Sequence, residues 1–520
     1  MIKLILVVLS LNPLERPLAL YDVGIKGGGK DSTVTNFLNI RINSVTENIQ
    51  NEEQIAINPR DSLNLVAVWR DFRLGYRQVG FGYSFDGGNT WHDTLFSGTP
   101  YAWDSDPGIT VDDSGYFYAV VLSLPPDGST SGIFVFKSTT GGSSWEGPYT
   151  VVDAHTSAFE DKELITADNV VNSPYRGNLY VVWTRFGDYT NGGINISRST
   201  DRGLTWSSPL RLSTLTTGVQ WPVVTVGDSG IVYVAWLNYG NGRLELVKSL
   251  DGGTTFSLPS TISLINGGWC YINPSLLVIS YPAIAADANP NSRFFGNLYV
   301  VYTDTTDSNG MDIFFRRSTD RGVTWSDPER INDDPEGLVV DQFHPWIDID
   351  QNGVITVVFY DRRNDTANLF MDVYITRSFD GGLTWTPNER VTSVSSNPGA
   401  LKSGLIGEYI GLDTWRGKPF IVWTDTREGS QDVYFGKDTT LTLVEEPFES
   451  TGNLLRETVV HERLELLSTP HEPARIYTCD GRLILTSREK VIDFQKFPSG
   501  LYFLTISGRV EKFLKIKVDK

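Results

Sequence analysis

An eight-residue pattern that recurs six times is the feature that most restricts what this chain can fold into. Residues 84–91 read Ser-Phe-Asp-Gly-Gly-Asn-Thr-Trp, and later copies keep a serine, an aspartate or threonine, a glycine and a final aromatic residue. The third residue of each copy falls at positions 86, 140, 201, 251, 320 and 380. Successive copies are 50 to 69 residues apart. A pattern repeated at such intervals predicts a chain built from similar units rather than from unrelated domains.

The pattern is typical of a tight turn between two β-strands. An aspartate carboxylate accepts N–H bonds across such a turn, and glycine adopts a positive φ that a Cβ would penalise. The aromatic residue supplies a large apolar face for packing between neighbouring sheets. We therefore assign a structural role to Asp86, Trp91, Trp145, Asp201, Trp206, Asp251, Asp320, Trp325, Asp380 and Trp385.

Four predicted strands accompany each copy of the pattern. Around the fifth copy they cover residues 282–287, 297–302, 312–317 and 328–332. Four antiparallel strands in a unit of about 40 to 60 residues predict one blade of a β-propeller. Such units open near positions 53, 106, 161, 221, 281, 344 and 409, so we predict an all-β fold with seven blades and keep six as the alternative.

The seventh unit has neither the pattern nor a fourth strand of its own. Residues 38–43, Leu-Asn-Ile-Arg-Ile-Asn, are similar to the fourth strand at 329–332, Glu-Arg-Ile-Asn. We predict that this N-terminal strand completes the last blade, which closes the ring and leaves no open sheet edge. The propeller is then expected within residues 28–443.

The two ends of the chain differ from the repeats. Residues 1–27 contain a lysine and then a short apolar run, which is typical of a signal peptide followed by a leader. Residues 444–467 are polar and acidic, and we predict a linker there. Residues 468–520 alternate apolar and polar side chains in short runs, which predicts the core of a small β-sandwich.

Composition excludes several classes of function. The 44 lysines and arginines against 62 aspartates and glutamates give a formal net charge of −18, which disfavours a nucleic-acid partner. No apolar run reaches the ~18 residues that span a bilayer. Two cysteines and five histidines without paired spacing predict no metal site. The sequence also contains no phosphate loop and no Ser-His-Asp signature, so we predict no cofactor.

Chemistry is expected on one rim of the propeller. First strands line the central channel, and the loops before first strands and after second strands share one face, opposite the repeated turns. Aromatic faces stack on sugar rings, carboxylates accept hydroxyl hydrogen bonds and guanidinium groups grip carboxylates, so this rim predicts a glycan site. The catalytic candidates are Asp71, Asp361, Glu408 and Tyr409, and the substrate-binding candidates are Arg70, Arg185, Tyr239, His344, Arg362, Arg363 and Arg427. The alternative is that the Asp–Arg neighbours form salt-bridged loops that stiffen the rim.

The eight-residue pattern resembles the Asp-box, or BNR repeat, of the sialidase superfamily, over about residues 36–440. Asp161-Lys162-Glu163 with Trp183, and residues 359–363 (Phe-Tyr-Asp-Arg-Arg), are similar to phrases in bacterial secreted proteins of exo-α-sialidase type. That resemblance implies three arginines on a substrate carboxylate, an aspartate acid/base and a Tyr–Glu nucleophile pair, for which Glu408 with Tyr409, or else Tyr360, are candidates.

The chain also departs from the sialidase pattern. Glu53-Gln54-Ile55 stands where the family has an Arg-Ile-Pro signature. Asp-boxes occur in non-catalytic propellers as well, so two hypotheses remain open. The chain is either a glycan-active enzyme of exo-α-sialidase-like type, or a non-catalytic secreted or cell-surface propeller that binds glycan or protein.

The C-terminal module resembles the sorting domain of the bacterial type IX secretion system. The resemblance rests on residues 474–482 (Ala-Arg-Ile-Tyr-Thr-Cys-Asp-Gly-Arg), residues 498–503 (Pro-Ser-Gly-Leu-Tyr-Phe) and a basic C-terminal end. It implies a contact with the outer-membrane secretion machinery and a secreted or cell-surface location. An immunoglobulin-like accessory domain is the alternative. We expect a monomer whose main partner is a glycan or glycoconjugate.

Overall fold

A computed structural model describes most of the chain. The described residues are 35–153, 158–188, 190–273, 275–306, 310–335, 339–398 and 405–439, followed by 459–460, 463–466, 473–478, 483–497, 500–506 and 509–515. The chain divides into two compact units, one within residues 1–441 and one within 442–520. The predicted signal peptide and leader, residues 1–27, lie outside the described residues. Where the chain is described, no helix is long and apolar enough to cross a membrane.

The first unit is a β-propeller of seven four-stranded antiparallel sheets, which confirms the prediction of seven blades over six. Strand β1 (Phe37–Arg41) precedes the first blade. Blade 1 contains β2 (Gln50–Ile57), β3 (Leu65–Asp71), β4 (Gln78–Ser84) and β5 (His92–Leu95). Blade 2 contains β6 (Trp103–Val111), β7 (Phe117–Leu124), β8 (Gly132–Ser138) and β9 (Glu146–Val152). Blade 3 contains β10 (Phe159–Ala167), β11 (Leu179–Phe186), β12 (Gly193–Ser199) and β13 (Leu210–Arg211).

The remaining blades follow the same order, with one inserted hairpin. Blade 4 contains β14 (Val219–Val226), a 3₁₀ turn (Asp228–Gly230), β15 (Val232–Asn238), β16 (Arg243–Ser249) and β17 (Ser260–Leu264), and the inserted hairpin is β18 (Trp269–Ile272) with β19 (Leu276–Ile279). Blade 5 contains β20 (Pro282–Ala286), β21 (Leu298–Thr306), β22 (Gly310–Ser318) and β23 (Glu329–Arg330). Blade 6 contains β24 (Gln342–Ile349), β25 (Ile355–Asp361), β26 (Asp372–Ser378) and β27 (Glu389–Arg390).

Strand β1 closes the ring. Blade 7 contains β28 (Gly411–Trp415), β29 (Lys418–Asp425) and β30 (Asp432–Asp438), and β1 pairs antiparallel with β30 as its fourth strand. In this register Phe37 lies opposite Asp438 and Arg41 opposite Tyr434. The predicted N-terminal closure is therefore confirmed, and it satisfies a sheet edge that would otherwise be open.

The apolar core lies between neighbouring sheets. Second strands run through the middle of the blades and are packed on both faces, so they contain nearly continuous apolar runs. Strand β3, for example, is completely buried from Leu65 to Trp69. Trp69 packs with Phe420, Phe435 and Ile42 in the cluster that joins blade 1 to blade 7. Burial of such side chains contributes about 1.5–3 kcal/mol each, so the ring is held mainly by these inter-blade clusters.

The repeated turns join third and fourth strands, as the sequence predicts for the pattern. In the third copy, Asp201 Oδ1 accepts the backbone N–H groups of Leu204 and Thr205 at 3.1 and 2.9 Å, and Oδ2 accepts the Thr205 hydroxyl at 2.6 Å. The aromatic residue then reaches the next sheet, since the Trp91 ring lies 5.2 Å from the Phe435 ring of blade 7. These contacts are structural ones.

The second unit is a small β-sandwich, also as predicted. Its five-stranded sheet has the order β31, β37, β36, β33, β34, formed by Val459–Val460, Arg509–Lys515, Gly500–Ile506, Ala474–Thr478 and Leu483–Ser487, and the second sheet pairs β32 (Arg463–Glu465) with β35 (Val491–Asp493). Leu464, Ile476, Phe494 and Leu504 lie in its core. Strands β31 and β32 fall within the predicted linker, so the strands of this unit begin before residue 468.

Candidate functional site

A β-bulge occurs near the start of the first strand in five of the seven blades. The pairing with the second strand shifts register there, for example between Asn51 and Gln54 in blade 1. A bulge inserts a residue that the ladder does not pair, and it redirects a side chain. One non-glycine residue in each bulge has a positive φ of 49–60°: Glu52, Asp106, Lys162, Trp221 and His344.

These side chains meet across the propeller axis. Lys162 of blade 3 contacts Glu52 of blade 1, and Trp221 of blade 4 contacts Glu408 of blade 7, although these blades are not neighbours. Tyr281 and Tyr409 take the equivalent places in blades 5 and 7. We call these seven residues the channel ring: Glu52, Asp106, Lys162, Trp221, Tyr281, His344 and Tyr409.

Proline explains part of the local geometry. Asp106, Trp221, Tyr281 and His344 each precede a proline in the sequence. Proline has no N–H group to donate, so within a sheet it is confined to places where a ladder hydrogen bond is already missing. The bulge is such a place, and the X-Pro pairs therefore help to fix which residue turns toward the axis.

Lys162 is the centre of the ring. Its Nζ atom lies 3.0 Å from Asp106 Oδ2, 3.1 Å from Glu408 Oε2 and 3.4 Å from Glu52 Oε1. The three carboxylates come from blades 2, 7 and 1, so a single ammonium group joins four blades. The Lys162 side chain is only 7% exposed, and removing such a charge from water is costly unless several partners compensate.

Glu52 and Asp106 differ in their affinity for protons. Burial raises the pKa of Glu52 more than Arg70 and Lys162 lower it. Burial alone would also raise the pKa of Asp106, but Lys162, a hydrogen bond from Glu52, Arg70 and Ser105 together hold it well below its ordinary value. Glu52 therefore holds the proton while Asp106 holds the negative charge. Two carboxylic groups with pKa values pushed apart are the arrangement that acid–base catalysis needs.

Three aromatic side chains, Trp221, Trp269 and Tyr239, pack together between the channel ring and the inserted hairpin. Trp221 donates its indole N–H to Glu408 Oε2 at 2.6 Å. Its ring lies edge-on to Trp269 of β18 at 5.4 Å, and Trp269 in turn lies 5.8 Å from Tyr239. Trp269 and Tyr239 are half-buried, so their faces are partly accessible beside the channel mouth. Such faces provide stacking surfaces for sugar rings or other planar apolar groups.

A pocket lies within the channel next to the ring. Its free space is about the size of one water molecule, and it is partly open to solvent. Its walls include four residues of the ring and five that follow them along the first strands: Lys162, Glu163, Leu164, Trp221, Pro222, Val223, Tyr281, Trp346 and Tyr409. The pocket is mostly apolar with a few polar groups, and it can hold a single small polar group rather than a whole ligand.

The predicted arginines do not meet at one point. Each of the four below pairs with a carboxylate of its own blade: Arg70 with Glu52 at 3.3 Å, Arg185 with Glu160 at 2.7 Å, Arg363 with Asp361 at 2.7 Å and Arg427 with Asp425 at 2.7 Å. Arg362 is fully buried and donates to the backbone oxygens of Asn273 and Asn368. This is the geometry of salt-bridged rim loops, the alternative interpretation of the Asp–Arg neighbours.

The predicted aspartates, Asp71 and Asp361, make similar contacts at the ends of second strands. Asp71 accepts the Trp69 indole N–H at 2.7 Å and holds Arg73 at 2.7 Å. Asp425 does the same with Trp423, at 2.9 Å, and Arg427. Asp361 lies at the equivalent place in blade 6 and pairs with Arg363. In blades 1, 6 and 7 these contacts connect the end of the second strand to the loop that follows.

Of the other candidates, Tyr409 belongs to the channel ring and Glu408 contacts Lys162 of that ring. Tyr239 packs against Trp269 of the inserted hairpin. Burial, with a smaller contribution from Glu52, raises the pKa of Tyr409 well above its ordinary value, which disfavours a phenolate there. His344 is fully buried in the ring, its two nitrogens have no partner among the described residues, and burial lowers its pKa to about 3. Tyr360, the other nucleophile candidate, is buried and accepts the Thr424 backbone N–H at 3.0 Å.

The sequence prediction placed Glu52 and Asp106 on the rim, but it did not include them, Lys162 or Trp269 among the catalytic or substrate-binding candidates. The first three carry a signal in the sequence, because each stands at the same place near the start of a first strand and three further blades have X-Pro there. Trp269 carries no such signal, since its hairpin is an insertion without a counterpart in other blades. Over the described residues, no group of three or more His, Cys, Asp and Glu side chains is arranged to hold a metal ion.

Comparison with known proteins leaves the family open. No family model and no curated protein match the sequence. Solved structures with similarity include a protein of unknown function from Dyadobacter fermentans, with 17% identity, a TM-score of 0.42 and coverage of 63% of this chain and 96% of that chain. A Hadza microbial sialidase has 15% identity, a TM-score of 0.42 and coverage of 61% and 64%. An α-L-arabinanase from Penicillium chrysogenum has 13% identity, a TM-score of 0.43 and coverage of 79% and 99%.

Proposed function

We propose that this protein is a glycan-binding propeller that hydrolyses a glycosidic bond at the mouth of its central channel. The observation that supports this most is the pair formed by Glu52 and Asp106. Both contact Lys162 Nζ, at 3.4 and 3.0 Å, so their carboxylate oxygens are close together. Glycoside hydrolases use two carboxyl groups, one protonated and one ionised, about 5 to 9.5 Å apart, so this hydrogen-bonded pair would have to separate to admit a glycosidic bond.

In this proposal Glu52, Asp106 and Lys162 have different roles. Glu52 retains its proton and delivers it to the leaving oxygen as the general acid. Asp106 stays ionised and acts as nucleophile, or activates water as a base. Lys162 keeps Asp106 ionised and holds Glu408 near the reacting centre. The sugar stacks against the half-buried Trp269 and Tyr239 rings at the rim.

The proposal does not extend to a sialidase mechanism of the arginine-triad type. Binding of a sialic-acid carboxylate requires guanidinium groups that converge and are free to form a bidentate contact. The rim arginines are distributed over blades 1, 3, 6 and 7, and those in ion pairs are committed to Glu52, Glu160, Asp361 and Asp425. We therefore expect little turnover of α-sialosides compared with other glycosides.

The test is turnover of a fluorogenic glycoside panel by the full chain. We expect at least one substrate to be cleaved, with kcat reduced at least 100-fold in Glu52→Gln and Asp106→Asn. Glu245→Gln is the matched control, because Glu245 is also buried but bonds Trp236 on blade 4, away from the ring. Equal turnover in all four proteins, or none on any substrate, would contradict hydrolysis.

A second function is favoured by one observation. Glu52 is fully buried and Asp106 is 4% exposed, so a substrate needs a local opening to reach them. If Glu52, Asp106 and Lys162 serve only to hold the blades together, the protein binds glycan at Trp269 and Tyr239 without cleaving it. Glycan binding without turnover, lost in Trp269→Ala but retained in Glu52→Gln, would establish that function instead.

We further propose that the protein acts outside the cell as a monomer and that the C-terminal unit is a sorting module read by secretion machinery. The support is the sequence of that unit and the apolar N-terminal segment. The test is fractionation of cells that express the full chain or a chain ending at residue 441. Export of both forms to the same extent would contradict the sorting role.

A further inference from the structure

Glu163 is a buried carboxyl group without a described partner. It is 1% exposed, and neither of its carboxylate oxygens has a hydrogen-bond partner among the described residues. It follows Lys162 directly and lines the channel pocket. A buried carboxyl that is left unpaired costs several kcal/mol, so such a group usually has a partner that the chain itself does not supply.

The walls around this carboxyl group are aromatic. Trp221, Tyr281, Trp346 and Tyr409 all line the same pocket, and the Trp346 and Tyr409 rings lie 6.3 Å apart. The Tyr281 hydroxyl is also buried and has no described partner. Several aromatic faces with one carboxylate form the combination that attracts a cationic nitrogen, because the faces carry negative potential.

The charged groups around Lys162 also favour a cationic ligand. Glu52, Asp106 and Glu408 share Lys162, and Arg70 adds one more cation beside Glu52. Glu163 adds a fourth carboxyl group, and Lys162 is already committed to the other three. Burial, with a smaller contribution from Asp106, raises the pKa of Glu163 well above its ordinary value. The carboxyl group is therefore neutral when the pocket is empty, and a cation placed beside it would favour its ionised form and form an ion pair with it. An anion would find no uncommitted cation among the described residues that line the pocket.

We propose that the Glu163 pocket holds a positively charged amino group of the glycan, so that the ligand is an amino-sugar glycan rather than an acidic one. This inference rests on the proposed glycan function and specifies its substrate class. The free space in this pocket is about the size of one water molecule, far smaller than a pocket that holds a whole sugar. It therefore has room for the ammonium group alone, while the sugar ring and the rest of the glycan lie toward the rim.

The experiment measures binding of three tetrasaccharides to the full chain by calorimetry at pH 6 and low salt. They are a glucosamine tetramer, its fully N-acetylated form and a glucuronic-acid tetramer. We expect the glucosamine tetramer to bind at least 10-fold more tightly than the acetylated one, and no binding of the acidic one. This measurement on the wild-type protein is sufficient to overturn the inference, if the first two tetramers bind with equal affinity or the acidic one binds more tightly.

Variants then locate the preference. Glu163→Gln is isosteric, and we expect it to reduce the preference for the amino form to less than about 2-fold, while Glu245→Gln keeps it. If Glu163→Gln does not fold, Trp346→Leu tests the aromatic wall and should weaken glucosamine binding at least 5-fold. Retention of the full preference in a folded Glu163→Gln protein would place the amino group elsewhere and contradict the inference.

Methylammonium, which is small enough to place its NH₃⁺ group in the pocket, separates this inference from the glycan function. If no tetrasaccharide binds but methylammonium binds and Glu163→Gln abolishes that binding, the cation pocket is supported and the glycan function fails. If the acetylated tetramer binds as well as the amino form and methylammonium does not bind, the glycan function stands and the amino-group inference fails.

Discussion

Asn43 donates its side-chain amide to Asp432 Oδ1 at 2.7 Å, although the two residues are 389 positions apart in the chain. Asn43 Oδ1 accepts the Val433 backbone N–H at 2.8 Å. Asn332 makes the same two contacts in blade 5, with Asp312 at 2.7 Å and the Ile313 N–H at 2.9 Å. The N-terminal segment therefore reproduces the fourth-strand side of a normal blade, down to the side chain that follows the strand.

Replacement of Asn43 should destabilise the ring at its closure. In Asn43→Ala the Asp432 carboxylate and the Val433 N–H each lose a buried partner, so we expect the free energy of unfolding to fall by about 1–3 kcal/mol. Urea denaturation of the full chain measures this. Asn332→Ala should have a similar effect, and no change in either variant would mean that these contacts add nothing to blade pairing.

Removal of Lys162 should be costly because it leaves carboxyl groups facing one another. We expect Lys162→Met to lower the free energy of unfolding by about 3–5 kcal/mol at pH 7. Lys162 depresses the pKa of Asp106, so its stabilising effect is present above the ordinary aspartate range and decreases as pH falls. The difference from wild type should therefore be similar at pH 5 and pH 7 and smaller at pH 3.

Lys137→Met provides the control for this charge effect. Lys137 is 9% exposed and lies over the Tyr116 and Tyr118 rings rather than among carboxylates. Its replacement should cost less than that of Lys162 and should not depend on pH in the same way. A Lys162→Met penalty that is equal at pH 3 and pH 7 would show that lost packing, not charge, causes the destabilisation.

The second copy of the repeated turn offers a stabilising change. Thr140 stands where the other copies have aspartate, and its hydroxyl accepts the Ser144 N–H at 2.9 Å. Thr140→Asp should add acceptors for Ser144 and raise the free energy of unfolding by about 0.5–1 kcal/mol. Thermal unfolding at pH 7 tests this, with Thr140→Ala as the variant that should lose stability.

The gain from Thr140→Asp should also depend on pH in a defined direction. Hydrogen bonds across the turn, chiefly from Thr324, lower the pKa of Asp320 in the fifth copy to about 2, against partial burial. A carboxyl with a lowered folded-state pKa stabilises fully above its unfolded pKa, near 4, and loses that effect as pH falls toward 2. A gain that persists unchanged at pH 2 would contradict this account of the turn.

Turnover, where it is found, should persist into the alkaline range. Burial raises the pKa of Glu52, so the general acid keeps its proton at pH values where an exposed glutamate has lost it. We expect the acidic limb of kcat to reflect Asp106 and the alkaline limb Glu52. Arg70→Lys moves a charge near Glu52 and should shift the alkaline limb more than the acidic one, and an unshifted profile would remove Glu52 as the acid.

Most of the propeller could be predicted from sequence because its determinants are local and repeated. The turn hydrogen bonds of Asp201 involve residues three and four positions away, so one copy of the pattern contains its own explanation. The ring closure was also predictable, since residues 38–43 resemble a fourth strand found elsewhere in the chain.

The candidate site was predicted less well because its contacts are not local. Rim arginines such as Arg363 and Arg427 pair with an aspartate two positions away, which a count of arginines on one face does not take into account. Lys162 reaches partners on three other blades, and only the bulge register brings them together. That register depends on backbone pairing across each sheet as well as on local signals such as the X-Pro pairs.

The bulge at the start of the first strands has a consequence for how such a molecule can change. Glu, Asp, Lys, Trp and His all occupy that one backbone position, each with φ between 49 and 60°. The strand pairing that creates the position is therefore compatible with acidic, basic and aromatic side chains alike. Because Lys162 joins four blades and Trp221 belongs to a core cluster, a new side chain at this position would change both the chemistry of the channel and the contacts that hold the blades together.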